Sequence, residues 1–124
     1  MRVLKTFLIA VCLSSTMPAQ AEPLTHIFAT CTGRFSAELE HAWLMQDERS
    51  SQIENRRRQF IDLLNATVPL DQRRDALNLR IDAKVAHALL LSQAAFSVEA
   101  DRSEWAVRRA RSEIAYCTGL LLES

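Results

Sequence analysis

The hydrophobic residues of this chain recur at helical spacing over four long segments. The first segment, residues 24–45, carries an apolar stripe formed by Phe28, Cys31, Phe35, Leu39 and Ala42. Residues three or four apart lie on the same face of an α-helix, so this spacing predicts a helix with one buried face. The same periodicity predicts helices over residues 51–67, 70–97 and 103–122. No segment alternates apolar and polar residues as a strand does, and the sequence therefore predicts an all-α fold.

The breaks between the predicted helices differ in clarity. Pro69 separates the second from the third, because proline donates no backbone hydrogen bond and disfavours helical geometry in the residue before it. A polar break over residues 99–102 precedes the fourth. Residues 46–52 are polar without a strong helix breaker, so the first two helices could also be one continuous helix. Short connections favour an up-down antiparallel four-helix bundle.

Two cysteines lie in identical tripeptides, which also hold the only two glycines of the chain. The tripeptides are Cys31-Thr32-Gly33 and Cys117-Thr118-Gly119. In an up-down bundle the start of the first helix and the end of the last lie at the same end of the molecule. The sequence therefore predicts that a disulfide between Cys31 and Cys117 closes the bundle between its first and last helices. A disulfide needs a Cα–Cα distance of about 4.4–6.8 Å, and we expect the glycines to permit this approach.

The N-terminus has the pattern of a secretory signal peptide. Arg2 and Lys5 precede a short apolar stretch, and Ala19-Gln20-Ala21 fits the small-x-small cleavage rule. The apolar stretch is shorter than the about 20 residues that span a bilayer. We therefore expect cleavage of residues 1–21, a single helical domain over residues 22–124 with no integral membrane segment, and a location in the periplasm or outside the cell.

Charge and motifs argue against several functional classes. Removal of Arg2 and Lys5 with the signal peptide leaves a slightly acidic chain, whereas nucleic-acid-binding domains are usually strongly basic. There is no glycine-rich phosphate loop and no Gly-x-Ser-x-Gly motif. We assign no catalytic residue, and the sequence predicts a protein that is not an enzyme and carries no cofactor.

Metal binding is an alternative that rests on the histidines. Glu38 and His41 form a Glu-x-x-His pair, which is half of the signature of di-iron bundles. His87 lacks the corresponding glutamate, because Lys84 stands three residues before it. Glu38, His41 and His87 are thus candidate ligands for a metal ion or a non-covalent haem, although a solvated helix face explains the pair more simply.

Arginine is concentrated in three short runs. These runs are Arg56-Arg57-Arg58, Arg73-Arg74 and Arg108-Arg109-Ala110-Arg111. They could form an anion-binding or acidic-partner surface. However, consecutive helical residues point about 100° apart, so each run spreads around its helix. A solvated face is the favoured interpretation.

The third predicted helix contains fourteen residues, 85–98, without Asp, Glu, Lys or Arg. A helix that is apolar all round is normally surrounded, yet a bundle leaves one face of each helix outside. Either the third helix is central, or an apolar patch stays open for a partner. The candidate contact residues are Leu89, Leu90, Leu91 and Phe96. The leading hypothesis is an exported, non-enzymatic binding or chaperone-like module whose partner is a protein, a peptide or a second copy. A small inhibitor or immunity protein is a further alternative.

Overall fold

The computed structural model describes residues 21–122, so the predicted signal peptide lies outside the described residues apart from Ala21. The bundle consists of four helices, α1 (Ala21–Leu44), α2 (Ser50–Thr67), α3 (Arg73–Phe96) and α4 (Ala100–Leu122), with a short 3-10 helix (Leu70–Gln72) before α3. The predicted all-α bundle, closed by a disulfide between its first and last helices, is confirmed.

Helices α1 and α2 are separate, because the chain turns sharply at Gln46. Gln46 adopts a positive φ of 54°. Its N–H donates to the Trp43 carbonyl at 3.3 Å, and the N–H of Asp47 donates to the Ala42 carbonyl at 2.8 Å. These two bonds form a Schellman motif, which satisfies carbonyls at the end of a helix. Helix α2 ends at Thr67, because the following residue, Val68, has the extended backbone that a residue before proline favours.

Helix α1 is the central helix of the bundle. It packs extensively against α2 and α3 and meets α4 along a shorter stretch. Its buried residues point in nearly every direction around the helix: Thr25, Ala29, Cys31, Thr32, Gly33, Phe35, Ala37, Leu39 and Ala42. The sequence allowed α3 to be either the central helix or a helix with an open apolar patch. The first alternative is wrong, because α1 is central and α3 keeps an outer face.

Small residues bring α1 and α3 together. Ala29, Gly33 and Ala37 follow at intervals of four on α1, and the main chain of α3 at Arg80 lies directly against Gly33. A Cβ at position 33 would lie 2.9 Å from the Ala83 Cβ. The expectation that the glycines serve the disulfide is thus wrong, since Gly33 faces α3.

The disulfide lies in a buried cluster shared by α1, α2 and α4. The Cα atoms of Cys31 and Cys117 are 5.7 Å apart, within the range for a disulfide. Phe35 and Phe60 complete the cluster, and their rings stack with centroids 5.6 Å apart. Around Gly119, no other side chain or helix lies within 4 Å of where a Cβ would be, so this glycine is not required by packing.

Among the described residues, none of the helices combines the length and hydrophobicity of a membrane span. The Cys31–Cys117 disulfide is compatible with an exported protein.

Candidate functional site

Helix α3 presents a row of large apolar side chains to solvent. Leu77, Ile81, Val85 and Leu89 follow one another at intervals of four residues, and their exposed fractions are 51, 49, 56 and 60%. Phe96 is also 60% exposed and extends the row toward the end of the helix. We call these five residues the α3 apolar face. An exposed apolar surface rimmed by polar residues is typical of a protein interaction site.

The structure separates the four contact residues that the sequence indicates. Leu89 and Phe96 belong to the α3 apolar face. Leu91 is buried, and Leu90 is half-buried against the cluster that Leu91 forms with Ala37 and Ala110. The uncharged segment is therefore divided between the core and the surface, because its apolar residues surround a helix with only one packed side.

A fully buried histidine joins three helices beneath this surface. The Nδ1 atom of His87 lies 2.9 Å from Glu113 Oε2 on α4, and its Nε2 lies 2.8 Å from Glu38 Oε1 on α1. Ionised carboxylates only accept hydrogen bonds, so both contacts are hydrogen bonds when each ring nitrogen carries a proton. His87 thus links α3 to one carboxylate on α1 and to another on α4.

Two arginines complete the environment of Glu113. Arg34 Nε lies 3.4 Å from its Oε2, and Arg109 Nε lies 3.1 Å from its Oε1. Burial acts to raise the pKa of Glu113, but the His87 hydrogen bond, the charge of Arg34 and the Arg109 hydrogen bond outweigh it. The pKa of this carboxyl group therefore lies below its ordinary value. Glu113 is consequently ionised at neutral pH, as the His87 contact requires.

The candidate metal ligands are only partly brought together. Glu38 contacts His87, but both ring nitrogens of His87 already face carboxylates. His41 lies elsewhere on α1 and lines, together with Glu38, a cleft of about 760 Å³ next to α4. Within residues 21–122, no three or more His, Cys, Asp or Glu side chains are arranged to hold a metal ion. A metal on His87 would have to displace one of its carboxylate partners.

The first arginine run is dispersed, as its helical spacing predicts. Arg56 donates to Thr118 on α4, Arg57 to Ser36 on α1, and Arg58 to Glu54 on its own helix. Each of these three consecutive side chains thus reaches a different neighbour.

No known protein family, curated protein or solved structure matches this chain.

Three residues of the α3 apolar face, Leu77, Ile81 and Val85, are absent from the set that the sequence indicates. Their four-residue spacing is visible in the sequence, but the same spacing also describes a core stripe. The sequence could not distinguish the two, because the choice depends on which helix occupies the centre of the bundle.

Proposed function

We propose that this protein is an exported, non-enzymatic binding module, and that the α3 apolar face pairs with a second copy of the same chain. The observation that carries this proposal is the row of four half-exposed aliphatic side chains on α3. Disulfides persist in oxidising compartments outside the cytosol, which together with the signal-like N-terminus supports export.

Exposure of these side chains to water is unfavourable. Complete burial of one Val, Leu or Ile side chain contributes about 1.5–3 kcal/mol relative to full exposure. Because each of the four is about half exposed, a partner that covers the row would gain about half of that for each residue. In a symmetric pair both copies gain it, which gives the surface a substantial driving force for association.

The pattern of the α3 apolar face suits pairing with itself. The row consists of Leu, Ile, Val and Leu, so aliphatic side chains follow at the same spacing in either direction along the helix. If two copies of α3 pack antiparallel about Val85, Ile81 of one copy lies opposite Leu89 of the other. A two-fold interface of this kind uses the same patch on both subunits.

Charge does not oppose this pairing. From Val85 to Phe96, helix α3 carries no Asp, Glu, Lys or Arg. Asp82 is an exposed acidic residue on the flank of the row, and antiparallel pairing about Val85 places it opposite Ala88 of the other copy. The arrangement therefore brings no like charges together at the centre of the interface.

The test is the oligomeric state of the protein, purified with its disulfide intact. We expect native mass spectrometry and light scattering to show a dimer, and Leu89→Glu to give a monomer with unchanged helical circular dichroism. Tyr116→Glu is the matched control, since Tyr116 is a 53% exposed side chain on α4, and it should remain dimeric. Leu90 is unsuited to this test because it packs against the core.

A wild-type protein that stays monomeric at high concentration contradicts pairing with a second copy. Dimers that persist in both Leu89→Glu and Ile81→Glu place the interface on another surface. In the first case a different protein or peptide becomes the occupant to consider for the α3 apolar face.

A further inference from the structure

A second cleft lies between α2 and α3, and α1 forms its floor. Its upper part encloses about 290 Å³ and reaches down to Gly33. Its lower part encloses about 390 Å³ next to the 3-10 helix. Leu77 and Arg80 line both parts, so the two parts adjoin, and we call them together the groove. The groove exists because α2 and α3 both pack on α1 and approach each other near Leu64 and Ala76, at the loop that joins them.

Two guanidinium groups line this groove from opposite walls. Arg57 on α2 donates from Nε to Ser36 Oγ at 2.9 Å, and Arg80 projects from α3. Within residues 21–122, neither forms an ion pair with a carboxylate. Burial lowers the pKa of Arg80, and the positive charge of Arg57 lowers it further. The two like charges thus disfavour each other, and an anion between them would relieve this repulsion.

The remaining charged groups do not neutralise this pair. At the upper end, Lys84 and Glu40 form an ion pair with each other. Glu54 also lines the groove, and it is paired with Arg58 of its own helix.

The lower part adds further positive charge. It is lined by Leu64, Asn65, Val68, Arg73, Ala76, Leu77 and Arg80. Two arginines and no acidic residue are among them, so the groove as a whole carries an excess of positive charge.

The edge of the groove is apolar. Trp43 on α1 and Leu77 and Ile81 on α3 are each about half exposed there. We propose that the groove binds an organic anion, with its carboxylate or phosphate between Arg57 and Arg80 and its apolar part over Trp43 and the two aliphatic side chains. Arginine suits this role because its planar guanidinium forms paired hydrogen bonds with either anionic group.

The test uses the intrinsic fluorescence of Trp43. The chain contains two tryptophans, so Trp105→Phe leaves Trp43 as the only reporter. We expect octanoate or octyl phosphate to change its emission saturably, and the tighter of the two identifies the head group. Octanol has a comparable apolar chain without the charge and should produce no saturable change.

Substitutions locate the anion. Arg80→Gln and Arg57→Gln should each weaken binding at least tenfold. Arg74→Gln is the matched control, because Arg74 is an exposed arginine on α3 and does not line the groove, and it should bind as the parent does. Leu77 and Ile81 belong to both surfaces, so pairing through the α3 apolar face would cover the edge of the groove. The monomeric Leu89→Glu protein should therefore bind the ligand at least as tightly as the parent, which tests the groove independently of pairing.

Thermal unfolding gives a second readout that also controls for misfolding. Without ligand, Arg80→Gln should unfold at the same or a higher temperature, since the repulsion is gone. Octyl phosphate should raise the unfolding temperature of the parent but not that of Arg80→Gln, because a ligand stabilises only the state that binds it. Equal binding by the Arg80→Gln and Arg74→Gln proteins, or octanol binding as tightly as octanoate, would overturn the proposal. Inorganic phosphate binding as tightly as octyl phosphate would overturn the role of the apolar edge.

Discussion

Gly33 of α1 packs directly against the main chain of Arg80 in α3. The α-hydrogen of glycine is all that fits there, because a Cβ would collide with the Arg80 carbonyl and lie 2.9 Å from the Lys84 backbone nitrogen. Since α1 is surrounded by the other three helices, this contact fixes the distance between the centre of the bundle and α3, which carries the α3 apolar face and one wall of the groove.

Gly33→Ala should therefore destabilise the protein, although alanine is the better helix former. Overpacking of a tight contact costs about 1–3 kcal/mol, and here backbone atoms would have to move. Gly119→Ala should instead stabilise by up to about 1 kcal/mol, since open space surrounds that position and a helical glycine is unfavourable relative to alanine. Urea unfolding of the two variants measures both effects. Equal stabilities for the two would contradict the close packing of α1 on α3.

The sequence predicts the number of helices and the disulfide for clear physical reasons. Apolar residues at helical spacing record which positions are buried, and two cysteines near opposite ends of an up-down bundle come to lie at one end. The helical spacing of apolar residues does not indicate which helix is central. Arg34 and Glu38 make the sequence of α1 look amphipathic. Both can nevertheless lie inside the bundle, because Arg34 pairs with Glu113 and Glu38 contacts His87. The uncharged stretch of α3 suggests a central helix, although α3 keeps an outer face.

The sequence also does not predict the turn after α1. Its positive-φ position is occupied by Gln46, where glycine is the usual residue. Gln46→Gly should stabilise the protein by about 0.5–1 kcal/mol. Glycine removes the steric cost of the left-handed conformation, and the larger backbone entropy that glycine loses on folding offsets part of this gain. Thermal unfolding measures the change. The exposed neighbour Glu48 offers a control, since Glu48→Gly should not stabilise.

His87→Leu should destabilise the bundle. Leucine fills the space but donates no hydrogen bonds to Glu38 and Glu113, and a hydrogen bond to a charged group contributes about 1.5–3 kcal/mol. His41→Leu is the control, because His41 is only half-buried and lies outside this network. Denaturant unfolding at neutral pH distinguishes them. Two variants of equal stability would show that the imidazole contacts contribute nothing measurable.

The network also predicts how stability depends on pH. The pKa of Glu113 is lower in the folded protein than its ordinary value of 4.5, so its ionised form stabilises the fold. This contribution is fully present above about pH 4.5 and is lost as the pH falls through the folded pKa. The stability difference between the wild type and Glu113→Gln should therefore be largest at neutral pH and should shrink in acid. Unfolding curves measured from pH 7 to pH 3 provide the test, and a constant difference would contradict it.

Loss of the disulfide should have the largest effect on stability of these changes. Cys31 and Cys117 are 86 residues apart, and closing a loop of this length contributes about 4–5 kcal/mol in the chain-entropy model. The Cys31→Ser, Cys117→Ser double variant should unfold at a correspondingly lower denaturant concentration. Because both cysteines are fully buried, mild reductant should leave the native wild type unaffected and act only after unfolding. Rapid reduction of the native protein would contradict this expectation.

The cross-link also changes what a single cut in the backbone can do. The turn at Gln46, the segment around Pro69 and the connection before α4 all lie between the two bonded cysteines. A protease that cleaves any one of them opens a covalent ring and releases no fragment. Both pieces stay attached through the disulfide, so the effective concentration of α1 relative to the α3–α4 pair stays high. A single nick therefore breaks the chain without dissociating the molecule.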